Sequence, residues 1–381
     1  MQSRSLLALT ASALALPGLA PLVRADSPPA EATLAYRISN YSEDDLDAAK
    51  KLIGSSERYD IDIHQLQLTT PVGDNYGLTL RASRENMSGA SPWYTIAQGN
   101  GSAAVIMSGA TIHEERTDVA ASTRRYLANG SVGVSLGYSD ENDYEALSGG
   151  VDAERHFNDN LTTLAGGISV SNDDLSPTDA ARFNRITDAS KQSRSLYFAV
   201  TQVINQNSLL QSGLSYTHVS GYLSDPYKLF DIRPDSRSQL AWTTSWRQYL
   251  GTVDAALHAD YRYYHDSFGI NSHTLELQWH QNLGSNWQLV PGIRYYSQSE
   301  ADFFRPGSVF GTTLPASADY RLAAYGAVSG ELKLQVDLDD FTLSLAAERY
   351  RASESLGVHA GATSPALVNF TRLSLGVDYR Y

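Results

Sequence analysis

Three sets of residues combine chemically capable side chains with suggestive spacing. Gly133-Val134-Ser135-Leu136-Gly137 matches the G-x-S-x-G pattern of a hydrolase nucleophile. Asp60, Asp62 and His64, and again Asp152, Glu154 and His156, place carboxylates and an imidazole at alternate positions. On a strand each trio shares one face, as ligands for an imidazole- and carboxylate-bound metal would. A third set recurs with the same period: Arg116, Asp118 and Arg124; His258, Asp260 and Arg262; Glu276 and His280; Arg294, Arg321, Glu331, Lys333, Glu348 and Arg372. His218 and His273 fall on the opposite, apolar parity, the side on which a lipid hydrolase would need its serine and histidine.

The elements that carry these residues decide what they can do. A nucleophile elbow needs a sharp strand-to-helix turn, yet Ser135 follows the hairpin signal Asn129-Gly130 and lies within the alternation Val132, Val134, Leu136, Tyr138. It reads as a small residue on a wall, and no catalytic residue is assigned. The Asp-x-Asp-x-His trio has no closing ligand in sequence, so no metal and no cofactor are assigned.

Period-two alternation runs through the chain. It is clearest at the end, where Leu373, Leu375, Val377, Tyr379 and Tyr381 alternate with Arg372, Ser374, Gly376, Asp378 and Arg380. Strands that are greasy on one side and charged on the other suit a closed barrel with lipid outside and water inside. The expected fold is an all-β transmembrane antiparallel barrel of about sixteen strands, with fourteen to eighteen as the range. Short periplasmic turns alternate with long external loops, and both termini fall on the short-turn side. Local expectations are a short helix from Ser42 to Gly54, a bulge before Leu66, and another irregularity at Pro291.

In a barrel the ionisable parity faces water. Asp60, Asp62, His64, Arg116, Asp118, Asp152, Glu154, His258, Asp260, Arg262, Glu276, Arg294, Glu331, Lys333 and Arg372 then line the lumen. They either set solute selectivity, with mixed signs opposing strong preference for one charge, or form a cross-strand network that stiffens the wall. The connection from Asn86 to Met107 carries Trp93, Tyr94 and Ile96, too apolar for a loop in water. It narrows the mouth or packs on neighbouring loops. Outward aromatics form two girdles: Tyr76, Trp246, Trp279, Trp287, Phe341 and the terminal Tyr381 at the inner rim, and Tyr138, Tyr216, Tyr263, Tyr295 and Tyr320 at the outer.

Composition adds the address. A basic start, an apolar run from Leu6 to Leu16 and the triplet Val23-Arg24-Ala25 read as a secretory signal over 1–25, followed by a short periplasmic leader over 26–30 and the barrel over 31–381. No later run of apolar residues is long enough for a spanning helix, and the mean hydropathy is −0.30. Neither excludes a barrel, because only alternate strand residues touch lipid. Zero cysteines exclude disulfides and thiolate chemistry. A net charge of −13 excludes a general nucleic-acid binder.

Several stretches, SGASPWY (88–94), MSGATI (107–112), ERHFND (154–159), LSDPYK (223–228), SHTLE (272–276) and WQLVPGIRYYSQSEADFF (287–304), resemble an uncharacterised Gram-negative envelope family catalogued as domain of unknown function 3570. The resemblance spans nearly all of the chain after the leader and implies an outer-membrane barrel without a known substrate or catalytic motif. The C-terminal Tyr381 also resembles the signal by which the outer-membrane assembly machinery recognises its clients. The resulting expectation is a non-enzymatic, porin-like channel for small solutes in the outer membrane, with lipid, the assembly machinery and a homo-oligomeric or envelope partner as contacts. A non-conducting structural or docking component is the alternative, and a barrel-borne lipid hydrolase the third reading.

Overall fold

The structure is a computed structural model and describes residues 27–381 except 100–101, 110–111 and 308–309. The expected signal over 1–25 and the first residue of the leader lie outside the described residues. Nineteen strands occur among those described: β1 (Thr33–Glu43), β2 (Lys51–Ile53), β3 (Asp60–Val72), β4 (Tyr76–Gly89), β5 (Pro92–Ala97), β6 (Ala103–Met107), β7 (Ile112–Leu127), β8 (Gly130–Glu141), β9 (Tyr144–Phe157) and β10 (Thr162–Leu175). They continue as β11 (Ala189–Asn205), β12 (Ser208–Gly221), β13 (Ser236–Leu250), β14 (Ala255–Asp266), β15 (Asn271–Leu283), β16 (Trp287–Gln298), β17 (Tyr325–Leu338), β18 (Phe341–Ser353) and β19 (Phe370–Arg380).

Sixteen of these pair antiparallel with their sequence neighbours, and β19 closes the barrel on β1 from Thr33↔Arg380 to Glu43↔Phe370. β2, β6 and β5 form a separate three-stranded sheet. Every connection at the end that holds both termini, the turn end, is two to four residues long. At the opposite loop end the connections 44–59, 90–111, 176–188, 222–235, 299–324 and 354–369 are long, while 142–143 and 267–270 are short.

The outward face is apolar. Leu136 and Ile168 are each 63 % exposed, and Leu196, Phe198, Leu332, Leu345 and Leu375 are exposed beside them. A continuous band of this kind is stable only against hydrocarbon. Among the described residues no helix is long and apolar enough to cross a membrane.

Three local expectations are corrected, and the irregularity expected at Pro291 is present. The region after Ser42 stays in β1 through Glu43, and only a 3-10 turn, Ala48–Lys50, precedes β2. Pairing with β19 and β6 outweighs the local helix signal. No bulge precedes Leu66, because β3 holds one register along both β1 and β4. Pro291 leaves a two-residue gap in the β15–β16 pairing without shifting register, since its missing N–H costs a bond but needs no extra residue. Tyr320 and Arg321 lie in a 3-10 turn of the 299–324 connection rather than on a spanning strand.

Candidate functional site in the lumen

The loop end of the barrel is filled by its own connections. Ile61, Ile63 and Met87 point inward from β3 and β4 and pack with Leu46, Tyr59, Val105, Met107, Tyr320 and Ala366. A second core, Phe268, Ile270, Phe303, Phe304 and Leu322, lies under the 299–324 connection. The β5–β6 hairpin carries Trp93, Tyr94 and Ile96 into this cap: Leu229 donates its backbone N–H to the Trp93 carbonyl at 3.3 Å, and Tyr94 meets Phe230 edge-on at 6.3 Å. Ile96 pairs with Ala104 inside the hairpin, and the neighbouring Thr95 hydroxyl donates to the Pro306 carbonyl at 2.7 Å.

Charge is balanced where the connections meet. Arg233 donates to Asp231 at 2.8 Å and to Asp319 at 2.7 Å, while Arg321 donates to Asp225 at 2.9 Å and also pairs with Asp319. Lys228 donates to the Pro92 carbonyl at 2.9 Å, tying the 222–235 connection to the hairpin. Burial alone would raise the Asp319 pKa, but Arg321, Lys228 and Arg233 outweigh it and hold the carboxyl well below the usual range. Burial pushes the Lys228 ammonium below its ordinary range, and Asp319 and Asp225 pull it partly back. Arg58 and Glu43, joined at 2.7 Å with both side chains almost fully covered, anchor the cap to the wall.

Below the cap the wall is polar and largely paired. Arg124 bridges Asp152 and Glu154, and Arg116 lies 3.6 Å from Glu141 and 4.0 Å from Asp118. Arg247 meets Asp260 at 2.9 Å, and Arg372 meets Glu348 at 2.9 Å and Glu331 at 3.4 Å. Glu276 sits opposite Arg294 in the β15–β16 register, the rings of His258 and His280 lie 3.9 Å apart, and Arg262 lies over the Tyr264 ring at 5.7 Å. A cavity of about 230 Å³ opens within the wall, lined by Arg37, His280, Lys333, Glu331, Arg372 and Ser374 among others. Ser135 lies mid-strand, opposite Ser122 and Gly150.

Asp60, Asp62 and His64 do not line the lumen. With β3 in unbroken register and Ile61 and Ile63 taken by the cap core, the three face outward at the loop end. There Asn40 donates to Asp60 at 3.0 Å and to Asp62 at 3.1 Å, and the Tyr36 hydroxyl lies 2.7 Å from His64 Nδ1. Among the described residues no group of three or more metal-ligating side chains is arranged to hold an ion. His218 Nδ1 lies 3.1 Å from Ser238 Oγ on the outward rim, and the described residues place no carboxylate against that imidazole to orient it as a base.

Of the aromatic girdle, Tyr76, Tyr138, Tyr216, Trp246 and Trp287 are exposed outward. Tyr263, Trp279 and Tyr295 are half-buried on the same parity, their polar tips bonded to Asn271, Gln281 and the Leu356 carbonyl. Two functional elements escaped the sequence reading. Arg37 alternates with Leu34, Tyr36 and Ile38, so its inward direction was there to be read; the Asp225–Asp231–Arg233–Asp319 cluster lies in aperiodic loops and left no such signal.

A closed sixteen-strand antiparallel barrel with an apolar exterior and a wet, charged interior defines an outer-membrane-type β-barrel protein. The chain belongs to the family described as protein of unknown function (DUF3570), which matches residues 6–367. No curated protein sequence matches it. Its fold is similar to a bacterial polysaccharide outer membrane secretin, with a TM-score of 0.52, 9 % identity, and coverage of 92 % of this chain and 98 % of that one. It is also similar to CdiB from Acinetobacter baumannii, with a TM-score of 0.53, 9 % identity, and coverage of 93 % and 60 %. At these identities the likeness concerns the fold alone.

Proposed function

We propose that the protein is a porin-like channel for small hydrophilic solutes in the outer membrane of a Gram-negative bacterium, closed at rest by its own loops. On this reading 1–25 is a cleaved export signal, the turn end faces the periplasm and the loop end faces outward. The observation that carries the proposal is the pairing of a charged, water-accessible lumen with a cap that fills only one end. A barrel of sixteen strands is wide enough to hold an aqueous path, and turns of two to four residues are too short to cover the other end. A purely structural barrel has no need of a polar cavity, and the paired charges beneath the cap suit a solute path of mixed sign.

The experiment is planar-bilayer recording of the purified barrel beside a variant lacking Gly89 to Gly101, which removes most of the hairpin wedge. The expected result is low or intermittent conductance for the intact chain and larger, steady steps for the variant. Silence from both supports the second reading that the closed cap favours: a non-conducting component whose loop face docks an envelope partner. Co-purification from solubilised outer membranes then identifies that partner.

A further inference from the structure

We infer that the lumenal cavity is a binding site for a small oxyanion, a solute carrying a carboxylate or phosphate group. This rests on the channel reading and names the solute class of that same lumen. The chain as a whole is acidic, with a net charge of −13, yet the cavity's ionised lining is Arg37, Lys333 and Arg372 against Glu331 alone. The three cations are not equivalent. Arg372 is committed to Glu331 and Glu348, at 3.4 and 2.9 Å. Arg37 and Lys333 make no ion pair among the described residues, although elsewhere in the lumen Arg116, Arg124 and Arg247 are each matched to a carboxylate.

Position adds to charge. Arg37 projects from β1 and Lys333 from β17, with the β19 and β18 strands between them, so the two cations flank the cavity rather than crowd one point. Neutral hydrogen-bonding groups complete the lining. Ser374 and Ser39 are joined at 2.8 Å, and Gln278 donates to Glu276 at 2.9 Å, which holds its amide in place. A guanidinium offers a planar fork for two oxygens and an ammonium a mobile point charge, a combination suited to a tetrahedral or planar oxyanion. Across the lumen Asp152 and Glu154 on β9 share Arg124 and keep a net negative charge, so the excess of cations is particular to the cavity. Within it an anion meets available charge and a cation meets little.

The test is isothermal titration of the full-length barrel in detergent with inorganic phosphate and with succinate, using neutral glycerol as the reference. It reads binding without needing conduction, so a closed or structural barrel does not confuse the outcome. Saturable binding of phosphate or succinate is expected, weakened about tenfold or more by Arg37→Gln and by Lys333→Gln. Arg81→Gln removes an inward cation outside the cavity and should leave affinity unchanged; retained heat-modifiable gel mobility shows that each variant is folded. Phosphate binding alone marks a phosphate-bearing solute, and succinate binding alone a carboxylate-bearing one. Absence of saturable binding overturns the inference, as does equal loss in the Arg81→Gln variant, which would show only the general potential of the lumen.

Discussion

The Arg233 guanidinium donates to the Asp319 carboxylate at 2.7 Å and so ties together two connections that are 86 residues apart in the chain. Asp319 has no exposed side-chain surface, and Arg233 retains little. The bond therefore acts as a pin across the mouth, linking the 222–235 and 299–324 connections over the lumen.

Removing either member takes one partner from a buried network in which Asp231 still pairs with Arg233 and Arg321 still pairs with Asp319, which costs about 1–3 kcal/mol. Asp319→Asn and Arg233→Gln should each loosen the cap while the spanning strands stay formed. Limited proteolysis of the 299–324 connection and single-channel recording provide the check: faster cleavage and more frequent opening are expected. The double variant should cost less than the sum of the singles, because the two substitutions share one interaction.

The same network sets a pH limit on opening. The folded pKa of Asp319 is depressed below that of a free aspartate, about 3.9. The stability it contributes is full above that value and is lost only as pH falls through the lower folded pKa. Acidification from neutral pH to about 5 should thus leave the Asp319 contribution to the cap intact. Conductance recorded between pH 7 and 5 should show no opening that Asp319→Asn abolishes; such an opening would mean that Asp319 titrates in that window.

The barrel itself was legible because its signal repeats. Alternation of Leu373, Leu375 and Val377 with Arg372, Ser374 and Gly376 reports two environments at every step, and sixteen strands reinforce one another. The misreading of Asp60, Asp62 and His64 arose where both faces of one strand compete. Ile61 and Ile63 look like lipid-facing residues, but an interior cap supplies a second apolar environment, and parity alone cannot tell the inside of a cap from the outside of a barrel. Strand ends that meet a plug are the places where this ambiguity arises. The cap's ion pairs were hidden for another reason: Asp225, Arg233 and Asp319 come together only through the meeting of aperiodic connections.

Backbone geometry gives a sharper stability contrast. Gly54 has φ +97°, and a Cβ there would stand 2.1 Å from the Met107 carbonyl oxygen, where β2 meets β6. Gly73 also has positive φ, +59°, but a Cβ would meet nothing within 4 Å. Gly73→Ala should cost about 1 kcal/mol of strain in a turn. Gly54→Ala adds a backbone collision and should displace β2 from the cap. Thermal melts together with protease sensitivity at the 44–59 connection separate the two: similar behaviour of the variants would refute the contrast.

At the seam, the Ala32 N–H donates to the Tyr381 carbonyl at 3.1 Å, the Tyr381 N–H donates to the Ala32 carbonyl at 3.0 Å, and the Tyr381 ring stacks on Tyr379 at 5.5 Å. Deleting Tyr381 removes the final pair of closing bonds and the exposed aromatic together, whereas Tyr381→Ala keeps the backbone pair and removes only the ring. If the ring serves as the assembly tag, both variants should insert slowly, and the fraction of heat-modifiable, folded barrel in outer membranes should fall alike. If closure is what matters, Tyr381→Ala should assemble normally and only the deletion should be impaired. Tyr381 is 61 % exposed and its ring adds little to the folded barrel beyond its stack on Tyr379, whereas the two backbone bonds are regained by any residue at 381. The expected outcome is therefore that Tyr381→Ala, once inserted, stays within about 1 kcal/mol of the parent, with its loss confined to assembly, while the deletion, short of two backbone bonds, is also less stable once folded.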